Sequence, residues 1–328
     1  MEAGGFAGLP LTQDERGGEE AAGSIEERVR DVYGFVLESA SEPVRSPEAI
    51  VERLKRDYRL VVDLGTVRLV VAAFLAGRPV LFEGPPGTGK TELGEAILTL
   101  WAGKPAFVIP CSENYNEYRV IGDFHPLMAL RYGFNERSFV PRPLLAAMVL
   151  GAGVLVDEIR RSSEEFQNLL LDIIDKRRVV IPELRSVVRA SDPGFQIIFT
   201  SNPEDYGQGE LSDAFMRRVV RVPFDYPPPE REVEIILLRY DAGPRLDAAL
   251  AARMVEAARL LRERAVYKPG PADTVLWARI AGRLAALKGR DRVEAGDVVE
   301  AASIVLYKRV GEEEVVDEAL RRVFGPGV

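Results

Sequence analysis

The chain has 328 residues, of which 47% are hydrophobic and 29% charged, which is enough apolar material for one sizeable core and a smaller module. Its formal net charge of −8 argues against general nucleic-acid binding, because phosphate backbones demand clustered Lys and Arg. One cysteine, Cys111, and one histidine, His125, exclude an intrachain disulfide and a Cys/His zinc site. Cys111 reads as a small buried hydrophobe and His125 as a structural or surface residue.

Residues 1–24 are rich in Gly, Ala and Glu, show no period, and are expected to be a mobile tail. No apolar run reaches membrane-span length, and no basic start precedes an apolar stretch, so a cytoplasmic location is expected. Ser24 with Glu27 three residues on forms a capping box, predicting a helix to about Glu38. Ser46-Pro47 starts another. The two make a helical segment over 25–60. An Ala-rich apolar stretch over 68–77 ends at Gly77.

Five short apolar runs follow, at 79–83, 106–110, 153–157, 196–200 and 218–222, mostly separated by helical patterns. Strands alternating with helices predict a mostly parallel sheet covered on both faces. After Pro227-Pro228-Pro229 the strands stop. Helical patterns occupy about 229–239, 247–265, 272–288, 294–308 and 312–323. The expected division is thus an α/β core over 61–228 and an α-helical lid over 229–328.

Gly84-Pro85-Pro86-Gly87-Thr88-Gly89-Lys90-Thr91 fits the P-loop pattern G-x-x-x-x-G-K-[ST]. Glycines allow a tight turn whose N–H groups point at phosphate oxygens, and the following helix adds its positive end. Lys90 should reach the β- and γ-phosphates of ATP, and the Thr91 hydroxyl should ligate Mg2+. A random chain of this length shows the bare pattern about once in a hundred. Here a strand precedes it and an amphipathic helix from Glu92 to about Trp101 follows. Val154-Leu155-Val156-Asp157-Glu158 is a buried strand ending in two acids. Asp157 stands where it would bind Mg2+, and Glu158 where it would orient the attacking water. The competing reading, acids capping the next helix, leaves their placement after a P-loop unexplained. Asn202, at the end of the run from Gln196, is a candidate for contacting the γ-phosphate or the water. Arg217-Arg218 could furnish an arginine finger, or be two solvated charges.

In this order and spacing, these elements resemble AAA+ ATPases of the MoxR type, the helix-2-insert clade, over about residues 45–310. The resemblance implies a P-loop NTPase three-layer core with a parallel sheet and an all-α lid. It makes GPPGTGKT the Walker A motif, VLVDE Walker B, and IIFTSNPED the sensor-1 strand. It also turns LSDAFMRRV into the segment that carries the finger, on Arg218, with Arg217 in place of the usual Asp. Gly122 to Leu145, with Phe139 to Leu144, is similar to the clade's helix-2 insert. Asp175 to Pro182 and Ser186 to Arg189 read as a β-hairpin before the sensor strand, which the clade turns toward a ring pore.

There are departures. Ala272 occupies the place where a sensor-2 Arg is often found, leaving Arg279 as a substitute, and Arg160 replaces the usual Asn after Walker B. Pro271 to Arg279 looks closest to the branch that matures carbon monoxide dehydrogenase-like enzymes, although Trp277 reads most simply as a core residue. The resemblance further implies a homo-oligomer, a hexameric ring, hydrolysing ATP with Mg2+. Its expected partners are a von Willebrand A-domain protein and a client protein or metalloenzyme that it remodels, activates or loads with cofactor. A ring-shaped nucleic-acid motor using Lys176, Arg177 and Arg178 is the alternative.

Overall fold

A computed structural model describes residues 24–113, 115–203 and 209–325. The expected tail over 1–24 therefore lies outside the described residues, apart from Ser24. Nine strands are named here: β1 Val80–Glu83, β2 Phe107–Pro110, β3 Gly122–Phe124, β4 Phe139–Pro141, β5 Val154–Asp157, β6 Arg178–Ile181, β7 Ser186–Arg189, β8 Ile197–Ser201 and β9 Val220–Pro223. Five of them form one sheet in the order β2-β5-β8-β1-β9, parallel throughout. The chain is an α/β P-loop AAA fold with a C-terminal helical region.

Period-two alternation splits the central strands between two faces. Val80, Phe82, Leu155 and Ile198 pack with the helices Pro47–Tyr58, Leu64–Leu75 and Lys90–Ala102. Leu81, Val154, Val156, Ile197 and Phe199 pack on the other side with Ile25–Tyr33, Pro143–Leu150 and Glu164–Lys176. A strand covered on both faces must be apolar at every position, which is why these runs show no polar alternation.

The helices Pro229–Arg239, Ala248–Arg264, Pro271–Leu287, Ala295–Val305 and Glu313–Phe324 bury a separate core. Trp277 is at its centre, fully buried, with Nε1 donating to Val298 O at 2.7 Å. Glu232 and Arg262 are buried beside it as a bidentate pair at 2.6 and 2.9 Å.

Two local expectations need correction. Ser24 and Glu27 do close the capping box, but the helix breaks at Gly34 into Ile25–Tyr33 and Phe35–Glu38. The hairpin of β6 and β7 pairs Val180 with Val187 and starts at Arg178, not at Asp175. Asp175 and Lys176 are the last turn of the preceding helix, which Arg177 terminates in the left-handed region. Hydrophobic spacing from Phe166 to Ile174 holds those two residues in the helix despite their charge.

Candidate functional site: the C-terminal edge of the sheet

Register brings the strand ends together: Glu83 lies opposite Ser201, and Val156 opposite Phe199. Crevices at the carboxyl ends of parallel strands are where open α/β sheets take ligands. The loop from Gly84 to Gly89 leaves β1 at this edge and enters the helix Lys90–Ala102. A Cβ on Gly84 would lie 2.2 Å from Phe224 O, so only glycine fits there. Gly87 and Gly89 have φ of 72° and 84°, the left-handed region open to glycine at little cost. Lys90 is almost wholly buried, and its Nζ donates to Gly84 O at 2.8 Å and Pro85 O at 2.6 Å. The ammonium thus lies against the loop that would wrap the phosphates.

Asp157 ends β5 directly beside this loop. Its Oδ1 accepts from the Thr91 hydroxyl at 2.7 Å and from the Thr200 hydroxyl at 2.5 Å. Thr200 Oγ1 in turn accepts from Glu158 N at 2.9 Å. Glu158 has φ 55° and ψ 51°, a left-handed conformation that costs a non-glycine residue free energy and collects at functional sites. Its carboxylate faces two partners: Asn202 Nδ2 donates to Oε1 at 3.5 Å, and Arg161 Nε lies 2.8 Å from Oε2. Thr91, Asp157, Glu158 and Asn202, from three separate segments, therefore meet beside the loop. Thr200 joins them. A threonine inside an apolar strand carries no signal of its own, and only the register makes it a bridge.

The hydroxyl and carboxylate oxygens of Thr91 and Asp157 are hard donors suited to Mg2+, which is held by one or two protein ligands plus phosphate and water. No cluster of three or more His, Cys, Asp or Glu residues occurs among the described residues, so this is not an all-protein cage. Cys111 is buried nearby, its N donating to Asp157 O at 2.9 Å. Burial first, then the Asp157 and Glu158 charges, push its thiol up to about 12.

A cavity of about 290 Å³ opens between the loop and the helical region, lined by Arg59 to Asp63, Gly87 to Gly89, Glu92, Arg231, Arg239 and Ala272 among others. Ala272 N donates to Gly87 O at 3.1 Å. Arg279 is not among the lining residues. Its guanidinium donates to Arg239 O at 2.8 and 3.1 Å and pairs with Asp241 at 3.1 Å. The helical region brings two arginines to the cavity, Arg231 and Arg239, the latter gripping Glu92 bidentately at 2.6 and 2.7 Å. In the sequence Arg239 reads as an ordinary last-turn base, so nothing there marked it.

Arg218 Nε donates to Asp175 at 2.7 Å and its NH1 to Ala214 O at 2.9 Å, whereas Arg217 is exposed. His125 is exposed, at the start of the helix Pro126–Tyr132. Among the described residues no helix is long and apolar enough to cross a membrane.

The family model for the AAA domain of the dynein-related subfamily matches residues 79–219. The chain is 29% identical to the gas vesicle ATPase GvpN of Ancylobacter aquaticus over 252 residues, covering 72% of this chain and 68% of that protein. It is 28% identical to NorQ of Paracoccus denitrificans, covering 73% and 77% of the two chains. It is 29% identical to CbbQ of Hydrogenophilus thermoluteolus, covering 57% of this chain and just under two thirds, 66%, of that one. Among solved structures, the RuvB Holliday junction branch migration motor of Thermotoga maritima is similar at a TM-score of 0.47 and 17% identity, covering 73% of this chain and 67% of that chain. With the Walker-type loop, the acid-tipped strand and the β2-β5-β8-β1-β9 sheet in place, residues 79–219 match an AAA domain of the dynein-related subfamily, and the chain as a whole is similar to MoxR-like AAA ATPases.

Proposed function

We propose that this chain hydrolyses ATP as a subunit of a homo-oligomeric ring, the expected hexamer, and spends that hydrolysis on remodelling, activating or loading cofactor into a client protein or metalloenzyme. The observation that carries the reading is the meeting of Thr91, Asp157, Glu158 and Asn202 at one strand edge beside Lys90. The loop Gly84 to Gly89 would cradle the phosphates with backbone N–H groups, and Lys90 would transfer its hydrogen bonds from Gly84 and Pro85 to phosphate oxygens. Thr91 and Asp157 would hold Mg2+, which neutralises charge on the phosphates when bound. Glu158, steadied by Asn202 and Arg161, would accept a hydrogen bond from the attacking water and aim it. The finger would come from the Arg217-Arg218 pair of a neighbouring copy, Arg218 first.

A protein client is favoured by the hairpin. Its outer face pairs exposed Val180 with Val187 and, two residues along, Arg178 with Arg189, so an apolar patch lies beside two guanidinium groups, a mix that suits a partly apolar acidic protein surface better than a bare phosphate backbone. A von Willebrand A-domain partner is the expectation that comes with the family resemblance. The decisive experiment is Glu158→Gln: turnover should fall about a hundred- to ten-thousand-fold while ATP affinity holds. An unchanged rate would remove Glu158 from the chemistry. The same variant, with ATP bound, is the form in which to capture a client.

A further inference from the structure

Arg160 has no task in the chemistry just described, yet it is placed at its centre. It lies two residues beyond Glu158, its side chain 19% exposed. Nε donates to Ser201 Oγ at 2.7 Å and NH2 to Glu83 Oε1 at 2.9 Å. Its backbone carbonyl accepts from Gly209 N at 3.1 Å. Each side-chain partner borders a residue of the site, since Ser201 precedes Asn202 and Glu83 precedes Gly84. Glu83 is only 5% exposed, and its other oxygen binds Arg221 from β9, three residues beyond Arg218. One guanidinium thus spans the tip of the P-loop strand, the tip of the Asn202 strand and the turn that presents Glu158.

A buried carboxylate needs a cation, and any cation would satisfy that need. The geometry asks for more. A planar guanidinium donates in fixed directions, so bonds to Glu83 and Ser201 together set the distance and angle between the two strand tips. A lysine would neutralise Glu83 without fixing that relation. Glu158 sits in a left-handed conformation that its surroundings must enforce, and the Arg160 fork is anchored two residues away.

We propose that Arg160 is a positioning residue for hydrolysis: braced on Glu83 and Ser201, it holds the Glu158 turn and the Asn202 strand tip in the relation that aims the acid at the attacking water. The inference rests on the ATPase reading above. Three variants of the full chain test it, with kcat and KM measured at saturating Mg2+, ATP affinity by calorimetry, and a thermal melt for folding. Arg160→Lys keeps the charge but not the fork. Glu83→Gln with Arg160→Gln removes both charges together. Ser201→Ala removes one acceptor and buries no charge. For the first two, kcat should drop about ten- to a hundred-fold with ATP affinity unchanged, and Ser201→Ala should lower kcat by a smaller factor in the same direction. A wild-type kcat in Arg160→Lys or in the double variant would show that Arg160 only neutralises Glu83, and would overturn the proposal. A loss of kcat matched by an equal loss of ATP affinity would overturn it as well. Should the first two fail to fold, Ser201→Ala decides, an unchanged kcat overturning the inference. If the unaltered chain shows no turnover, the ATPase reading falls and takes this inference with it; turnover that survives the substitutions sinks the inference alone.

Discussion

At the C-terminal edge of the sheet, Asp157 accepts from two threonines, Glu83 lies beneath two guanidinium groups, and Lys90 is buried against its own loop. On the outer surface the picture differs. Arg217 is exposed, Arg218 rests on Asp175 at 34% exposure, and Leu127, Leu130 and Phe134 of the insert are 71%, 85% and 73% exposed. The first region is nearly complete within one chain, and its carboxylates at Glu83, Asp157 and Glu158 all have partners. The second offers cations and apolar side chains that none of the described residues covers fully. The contrast is what a ring ATPase would show in one subunit: the site for its own nucleotide is built, while the parts that act on a neighbour or a client await it.

The largest expected effect breaks the comparison at the outer surface. Arg218→Ala should lower assembled turnover by about a thousand-fold or more with ATP affinity nearly intact, as loss of an arginine finger does. The competing assignment is Arg217, whose side chain is exposed and would need no release from Asp175. Assaying both alanine variants at a concentration where the ring forms decides between them. If neither changes turnover, the finger lies elsewhere and the outer surface is not half of a site.

The second prediction concerns the inner region. Leu155 is fully buried between β2 and β8, touching the helix that carries Lys90 and Thr91. Leu155→Ala should cost about 2–5 kcal/mol of stability, read as a lower midpoint in urea. A smaller cost would mean that this edge relaxes more than its packing implies.

How far these regions were legible in the sequence follows the same divide. The parallel strands, the loop Gly84 to Thr91 and the helical region could be read because each depends on local pattern: apolar runs, glycine spacing, helical period. Each observed strand of the large sheet lies within about two residues of its expected run, a normal uncertainty for element ends. Thr200, Arg239 and the Glu83–Arg160 pair could not be read, because their roles depend on which strand lies beside which and on how the helical region closes over the cavity. Arg279 illustrates the limit. It stands on the helix where a substitute for a sensor-2 arginine was sought, yet it bonds to Arg239 O, while Arg239 itself reaches the cavity. The hairpin, expected from Asp175, starts later for a local reason, since the helical spacing from Phe166 to Ile174 carries the helix on through Asp175 and Lys176.

A smaller effect is expected where the two regions join. The Glu92–Arg239 pair bridges the P-loop helix to the helical region with side chains 47% and 25% exposed. Pairs this open to water contribute about 0–1 kcal/mol and weaken with salt. Glu92→Ala should therefore shift the melting midpoint little, while freeing Arg239 to face the cavity. ATP affinity should hold or rise slightly, most clearly at low ionic strength. A loss of affinity would mean that Glu92 itself helps to hold nucleotide.

The smallest signal is a reaction that should not happen. Cys111 is the one cysteine in the chain, so a thiol reagent reports on a single place, beside Asp157. The thiolate is the reactive form, with a pKa of about 8.5 in free cysteine. Burial, then the Asp157 and Glu158 charges, push it up to about 12 here, so at pH 8 almost no thiolate exists, and the residue is only 7% exposed. Iodoacetamide at pH 8 should leave the native chain unlabelled over times that fully label it in guanidinium chloride, as mass spectrometry would show. Raising the pH toward 10 should add little, because access as well as ionisation is denied. Rapid labelling of the native chain would mean that the edge holding Asp157 opens readily. The contrast between a closed inner site and an unfinished outer surface would then no longer hold.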